Sequence, residues 1–187
     1  MFSKWLANTI IKKSKLSEED VVVASYGLTK MLALVEDMLF TVFLGSILSI
    51  VWESIIFQIS FISLRLYAGG CHSKTELRCI IHSGFVTVAC LMVVKLIPDG
   101  YEKLWFITLG ISVIIGTIAP VEAKNKPLSK NERIINHYKT IITLITLNVF
   151  VIADLIFKWG VFYKATTVAV SGVLMLMLVG IIENHSR

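Results

Sequence analysis

The run Val161-Phe-Tyr-Lys-Ala-Thr-Thr-Val-Ala-Val-Ser-Gly-Val-Leu-Met-Leu-Met-Leu-Val-Gly-Ile-Ile182 holds one charged side chain, Lys164. About 20 mostly apolar residues are enough for a helix to cross the hydrocarbon core of a bilayer. The run meets that length, so the fold turns on how many other segments do the same. Working back along the chain, Ile141 to Phe157, Leu104 to Val121 and Ile80 to Ile97 read as three more spans. The last of these is closed by Pro98-Asp-Gly100, a strong turn signal.

Composition agrees with this reading. The 187 residues are 56% hydrophobic with only three prolines, and mean hydropathy is +0.78. Such a chain is expected to be an all-α integral membrane protein forming a single polytopic domain over residues 1–187. The formal charge of +5 does not indicate nucleic acid, because the basic residues lie between apolar runs and not in one stripe. Three cysteines cannot form a complete disulfide framework. Neither a metal nor an organic cofactor is called for.

Ahead of the four runs, residues 1–16 place Phe2, Trp5, Leu6, Thr9 and Ile10 near one helical face, with Lys12, Lys13 and Lys15 at the end. A short basic amphipathic helix of this type lies in the membrane interface. No long apolar centre or small-residue cleavage site marks it as a removable signal. Ser17-Glu-Glu-Asp20 reads as the capped start of a new helix. Residues 21–66 are apolar but broken by Lys30, Glu36, Asp37, Trp52 and Glu53, and suit two spans turning near Trp52 and Glu53, or a re-entrant pair. Glu36, Asp37 and Glu53 are candidates for a buried polar site, or simply markers of turns and interfaces.

Charge sets the orientation. The segment 122–139 carries Lys124, Lys126, Lys130, Arg133 and Lys139, whereas 98–103 and 158–163 carry one basic residue each. By the positive-inside bias, the N-terminus, the segment around Lys74 and Arg78, and the 122–139 loop lie on the cytoplasmic side of the cell membrane. Four spans plus two from residues 17–66 give six crossings.

Between the second and third crossings sits a polar island, Arg65-Leu-Tyr-Ala-Gly-Gly-Cys-His-Ser-Lys-Thr-Glu-Leu-Arg-Cys79. Gly69-Gly70 permits a tight turn or close backbone approach. Ser73-Lys-Thr-Glu76 fits a capping box, so a helix is expected from about Lys74. In a continuous helix, His72 and Cys79 would be roughly 10 Å apart along the axis, whereas a base and a thiol need to approach to about 3 Å. The break at Gly69-Gly70 and Ser73 would let His72 fold back.

A thiol of pKa about 8.5 is made more nucleophilic by a nearby imidazolium or helix N-terminus. Cys79 as nucleophile with His72 as general base, aided by the positive charge of Arg78 and Lys74, could attack a peptide carbonyl and hold the acyl group as a thioester. His82, three residues beyond Cys79, is an alternative base. Cys71, His72, Cys79 and His82 also form a possible zinc set, although their spacing is unlike the usual paired motifs. A peptide exporter or channel, with the island as its gate, is a non-enzymatic alternative.

The pattern Arg65-x-x-x-Gly69-Gly70-x-His72 followed by Cys79, with Ala119-Pro-Val-Glu-Ala-Lys-Asn-Lys-Pro-Leu128 as a second motif, resembles the accessory gene regulator protein B (AgrB) family of Gram-positive bacteria. The resemblance extends to chain length, the basic N-terminal helix and the hydrophobic layout. It implies a membrane cysteine endopeptidase of quorum sensing, dimeric, that removes the tail of an AgrD-type propeptide and promotes thiolactone or lactone closure. By position His72 and Cys79 match the catalytic pair, and Arg65, Gly69 and Gly70 match the signature. Lys124, Lys126, Lys130 and Arg133, or Arg65 and Arg78, would suit an acidic propeptide tail, or would only enforce orientation. Glu122 or Glu76 would be placed to orient His72.

Overall fold

The computed structural model describes residues 18–69, 76–122 and 128–185. The expected interfacial helix at 1–16 therefore lies outside the described residues. Among the described residues there are six α-helices: α1 Glu18–Leu48, α2 Val51–Ala68, α3 Glu76–Leu96, α4 Leu104–Ile118, α5 Lys130–Phe157 and α6 Phe162–His185. No strand occurs among the described residues, and an isolated parallel bridge joins Gly69 to Val121. The protein is an all-α membrane protein. Gly27–Leu48, Lys130–Phe157 and Phe162–Ile182 are long and apolar enough to cross a bilayer, while Ser83–Leu96 and Leu104–Ile118 are shorter apolar helices.

The chain divides into two compact units, Met1–Phe43 and Leu44–Arg187. The described part of the first is the greater length of α1. Within it, the Thr41 hydroxyl donates to the Asp37 carbonyl (2.8 Å), a polar group satisfied inside its own helix. Glu36 keeps one buried carboxylate oxygen with no hydrogen-bond partner among the described residues.

The second unit is built around α6. Its Ala165, Ala169, Val170, Val173 and Met177 are fully buried against Phe57, Leu64 and Ala68 of α2, Leu91 of α3 and Ile115 of α4. Lipid tails are as apolar as leucine, so helices in a bilayer associate through close packing of small residues and through interhelical hydrogen bonds. Both occur here. A Cβ on Gly172 would stand 3.3 Å from Cys90 Sγ and 3.4 Å from the Phe61 ring. The Thr108 and Thr167 hydroxyls share a hydrogen bond of 2.6 Å, and Asn148 Nδ2 donates to Ser112 Oγ at 3.0 Å. Large apolar side chains such as Phe85, Phe106, Ile142 and Met175 face outward, as a lipid solvent allows.

Helix ends follow local chemistry and correct several boundaries. α1 turns into α2 at Ser49 (φ 59°) and Ile50, where Ile50 N–H donates to Gly45 O at 2.8 Å. This is earlier than the expected turn, and Trp52 and Glu53 lie in the first turn of α2. The helices approach so closely there that a Cβ on Gly45 would meet Ser54 Oγ at 2.1 Å. α4 stops at Ile118, short of the expected Val121, because Ala119-Pro120 is extended and Val121 pairs with the end of α2. Residues 130–139 of the expected 122–139 loop are helix. α5 starts at Lys130 on a capping box in which Ser129 Oγ accepts from Glu132 N–H and Glu132 accepts from Ser129 N–H. The box expected at Ser73 falls outside the described residues: α3 is described from Glu76, and neither Ser73 to Thr75 nor the Glu76 side chain is among them.

At the far end of the bundle, the buried Asp154 carboxylate accepts from the N–H groups of Val161 (3.4 Å) and Tyr163 (2.9 Å) and so caps α6. Lys164, almost wholly buried, pairs with the exposed Asp99 of the α3–α4 turn. Asp99, Asp154 and Tyr163 border a cavity of about 300 Å³ that Glu102, Lys158 and Trp159 also line.

Candidate active site at the end of α2

α2 brings the signature Arg65 into its last turn, and the helix is closed by Gly69, whose N–H donates to Arg65 O at 3.2 Å. Gly69 has φ 77° and ψ −149°, a conformation that L side chains rarely adopt. A Cβ there would meet Val121 O at 2.2 Å and Val121 N at 3.3 Å. Val121 N–H in turn donates to Ala68 O at 2.9 Å. The two sequence motifs therefore meet main chain to main chain, at a spot where only glycine fits.

The N-terminal turns of α5 hold the second motif from its other side. Arg133 donates to Glu122 Oε1 from Nε (2.7 Å) and Nη2 (2.5 Å). One turn later His137 Nδ1 lies 2.9 Å from Ala119 O, and since a carbonyl only accepts, Nδ1 carries the proton. Lys139 Nζ lies 5.1 Å from the centre of the Tyr67 ring of α2, within cation–π range. Arg65 stacks its guanidinium 5.8 Å from the Phe61 ring.

Of the residues the sequence singles out, Arg65, Gly69 and Glu122 are gathered at this junction. Arg133 is engaged with Glu122. Gly70, Cys71, His72, Lys124 and Lys126 lie outside the described residues, as do the side chains of Glu76, Arg78, Cys79 and His82. The backbone of Cys79 falls in the first turn of α3. Glu53 belongs to the first turn of α2, where an acid complements the helix dipole. Among the described residues no group of three or more His, Cys, Asp or Glu could hold a metal ion, and of the zinc reading Cys71 and His72 lie outside the described residues, as do the side chains of Cys79 and His82.

His137 was not legible as part of the site. The signal available was its place four residues after Arg133 and eight after the Ser129 cap, on one face of a helix that the cluster of charges disguised as a loop.

The family described as Accessory gene regulator B matches residues 3–182, nearly the whole chain. The chain belongs to the Accessory gene regulator B family. Among curated relatives, this AgrB family member is similar to AgrB-like protein 2 of Clostridium perfringens strain 13, with 24% identity over 156 residues that cover 80% of this chain and 73% of the relative. It is also similar to an AgrB-like protein of Clostridium perfringens strain SM101, with 23% identity over the same shares. No solved structure matches the chain. Membership of the AgrB family supports a part in the agr quorum-sensing system.

Proposed function

We propose that this AgrB family member is a membrane-embedded cysteine endopeptidase that removes the C-terminal tail of an AgrD-type autoinducer propeptide and promotes closure of the remainder into a thiolactone or lactone. The observation that carries the proposal is the family match over residues 3–182 in a chain that holds Arg65, Gly69, Gly70, His72 and Cys79 in the signature order.

In this reading His72 takes the proton of the Cys79 thiol, and the thiolate attacks the carbonyl that precedes the tail. The first turn of a helix favours a thiolate through the partial positive charge of its N-terminus, and Cys79 occupies that turn of α3. The C–N bond breaks as His72 returns the proton to the leaving amine, so the acyl group stays on sulfur. An internal Cys or Ser of the propeptide then attacks the thioester, its proton passing to His72 and Cys79 leaving as thiolate. Ring closure outruns hydrolysis where water is scarce, as at a membrane boundary. Glu76 or Glu122 would orient His72, and Arg78, Lys124 and Lys126 would attract an acidic tail. The catalytic island and the 122–130 segment face the cytoplasm, residues 1–187 act as one polytopic domain, and the working form is a homodimer.

The test is co-expression with an AgrD-type propeptide, followed by mass spectrometry of membranes. The wild-type chain is expected to release the tail and Cys79→Ala to leave the propeptide full length. Continued cleavage by Cys79→Ala overturns the proposal. Comparison of His72→Ala with His82→Ala assigns the base, and loss of activity confined to the His82 variant refutes the role given to His72.

A further inference from the structure

We infer that His137 is a positioning residue: its Nδ1–H, on the Ala119 carbonyl, latches the second motif against the Gly69 turn and thereby sets the rate of the site. This rests on the function proposed above.

The last carbonyls of a helix have no partner within it. α4 makes its final backbone bond from Ala119 N–H to Ile115 O (2.8 Å), and Pro120 then offers no N–H to continue. Ala119 is 6% exposed, so its carbonyl is far from bulk water, and His137 supplies the donor at 2.9 Å. Two residues on, Val121 N–H donates to Ala68 O of α2. The segment is thus tied to α5 at Ala119 and to α2 at Val121. Arg133, one turn before His137 on the same face of α5, takes hold of Glu122.

The α2 side leaves little slack, because a Cβ on Gly69 would stand only 2.2 Å from Val121 O. A shift of residues 119–122 therefore passes straight to Gly69, and His72 follows three residues later in the chain. Reacting groups displaced by about 1 Å can lose on the order of 10²-fold in rate. Neither Ala119 nor His137 need touch the propeptide for this to operate.

Asparagine places an amide nitrogen as many bonds from the backbone as Nδ1, whereas glutamine places it one methylene further out. With the full chain in membranes and the propeptide as substrate, His137→Ala is expected to lower kcat for tail release about 10- to 100-fold with KM within about twofold. His137→Asn is expected to restore most of the rate, and His137→Gln not to. Hydrogen exchange of the purified chain supplies a readout independent of catalysis: the Val121 amide should exchange faster in the Ala and Gln variants and stay protected in Asn. If the Ala variant fails to accumulate, the Asn and Gln pair carries the same comparison. Wild-type turnover in His137→Ala or His137→Gln, or unchanged Val121 protection in them, overturns the inference. Cleavage that survives Cys79→Ala overturns the proposed function instead, and the exchange data then decide alone whether the latch exists.

Discussion

Replacing Gly69 with alanine tests the junction of the two motifs at its tightest point. The residue sits at φ 77°, ψ −149°, a region populated almost only by glycine, and holding a side-chain-bearing residue there costs on the order of 1–3 kcal/mol. The added Cβ would also lie 2.2 Å from Val121 O, a main-chain atom that no rotamer change can move aside. Pushing that peptide away sacrifices the Val121 N–H to Ala68 O bond, worth about 1 kcal/mol. Together these penalties favour the parted junction by about 2–4 kcal/mol, or roughly 30- to 1,000-fold in population at 1.4 kcal/mol per tenfold. Tail release from an AgrD-type propeptide, measured in membranes and normalised to the amount of inserted protein, should fall by a factor in that range. Gly116→Ala is the control, since no heavy atom lies within 4 Å of the Cβ it would gain. Gly69→Ala protein that accumulates normally and cleaves within about threefold of wild type would refute the reasoning, because its predicted penalty is at least tenfold larger.

Two further predictions concern the opposite end of the bundle. Asp154→Ala removes the buried carboxylate that caps α6 through Val161 and Tyr163, so thermal unfolding should register a loss of about 1–2 kcal/mol, with tail release per folded molecule unchanged. The hydrogen bond from Lys164, and then its charge, hold the Asp99 carboxyl below its usual value of 3.8. A carboxylate lowered in the folded state contributes stability above its unfolded pKa and loses it as pH falls through the folded value. Acid melts should therefore separate wild type from Asp99→Asn at neutral pH, with Tm higher for wild type, and converge as pH falls through the lowered pKa of Asp99.

Hydropathy is a local property, which is why the runs starting at Ile80, Leu104, Ile141 and Val161 could be read directly as apolar helices, the last two in helices long enough to cross a membrane. Their ends depend on partners far away in the chain. Val121 looks like the tail of an apolar run until it is seen bonded to Ala68, and Ser129-x-x-Glu132 is a helix cap hidden among lysines that suggested a loop. The same applies to pairs such as Thr108 with Thr167 and Asn148 with Ser112, where each residue alone is only a blemish in an apolar stretch. Arg65, Gly69 and Glu122 were legible because spacing and residue type mark them. His137 was not, since a lone histidine carries no hint of which carbonyl it will reach.

The modest length of α4 has a bearing on how a peptide arrives. Fifteen residues rise only about 22 Å, against about 30 Å of hydrocarbon. If Tyr101 and Trp105 anchor its start among the headgroups of one leaflet, the segment that follows Ile118 lies several ångströms short of the opposite surface unless the lipid thins to meet it. On the function proposed above, a propeptide lying flat on that leaflet would then need to sink by only a few ångströms, entering sideways from the oil instead of being drawn down out of the water.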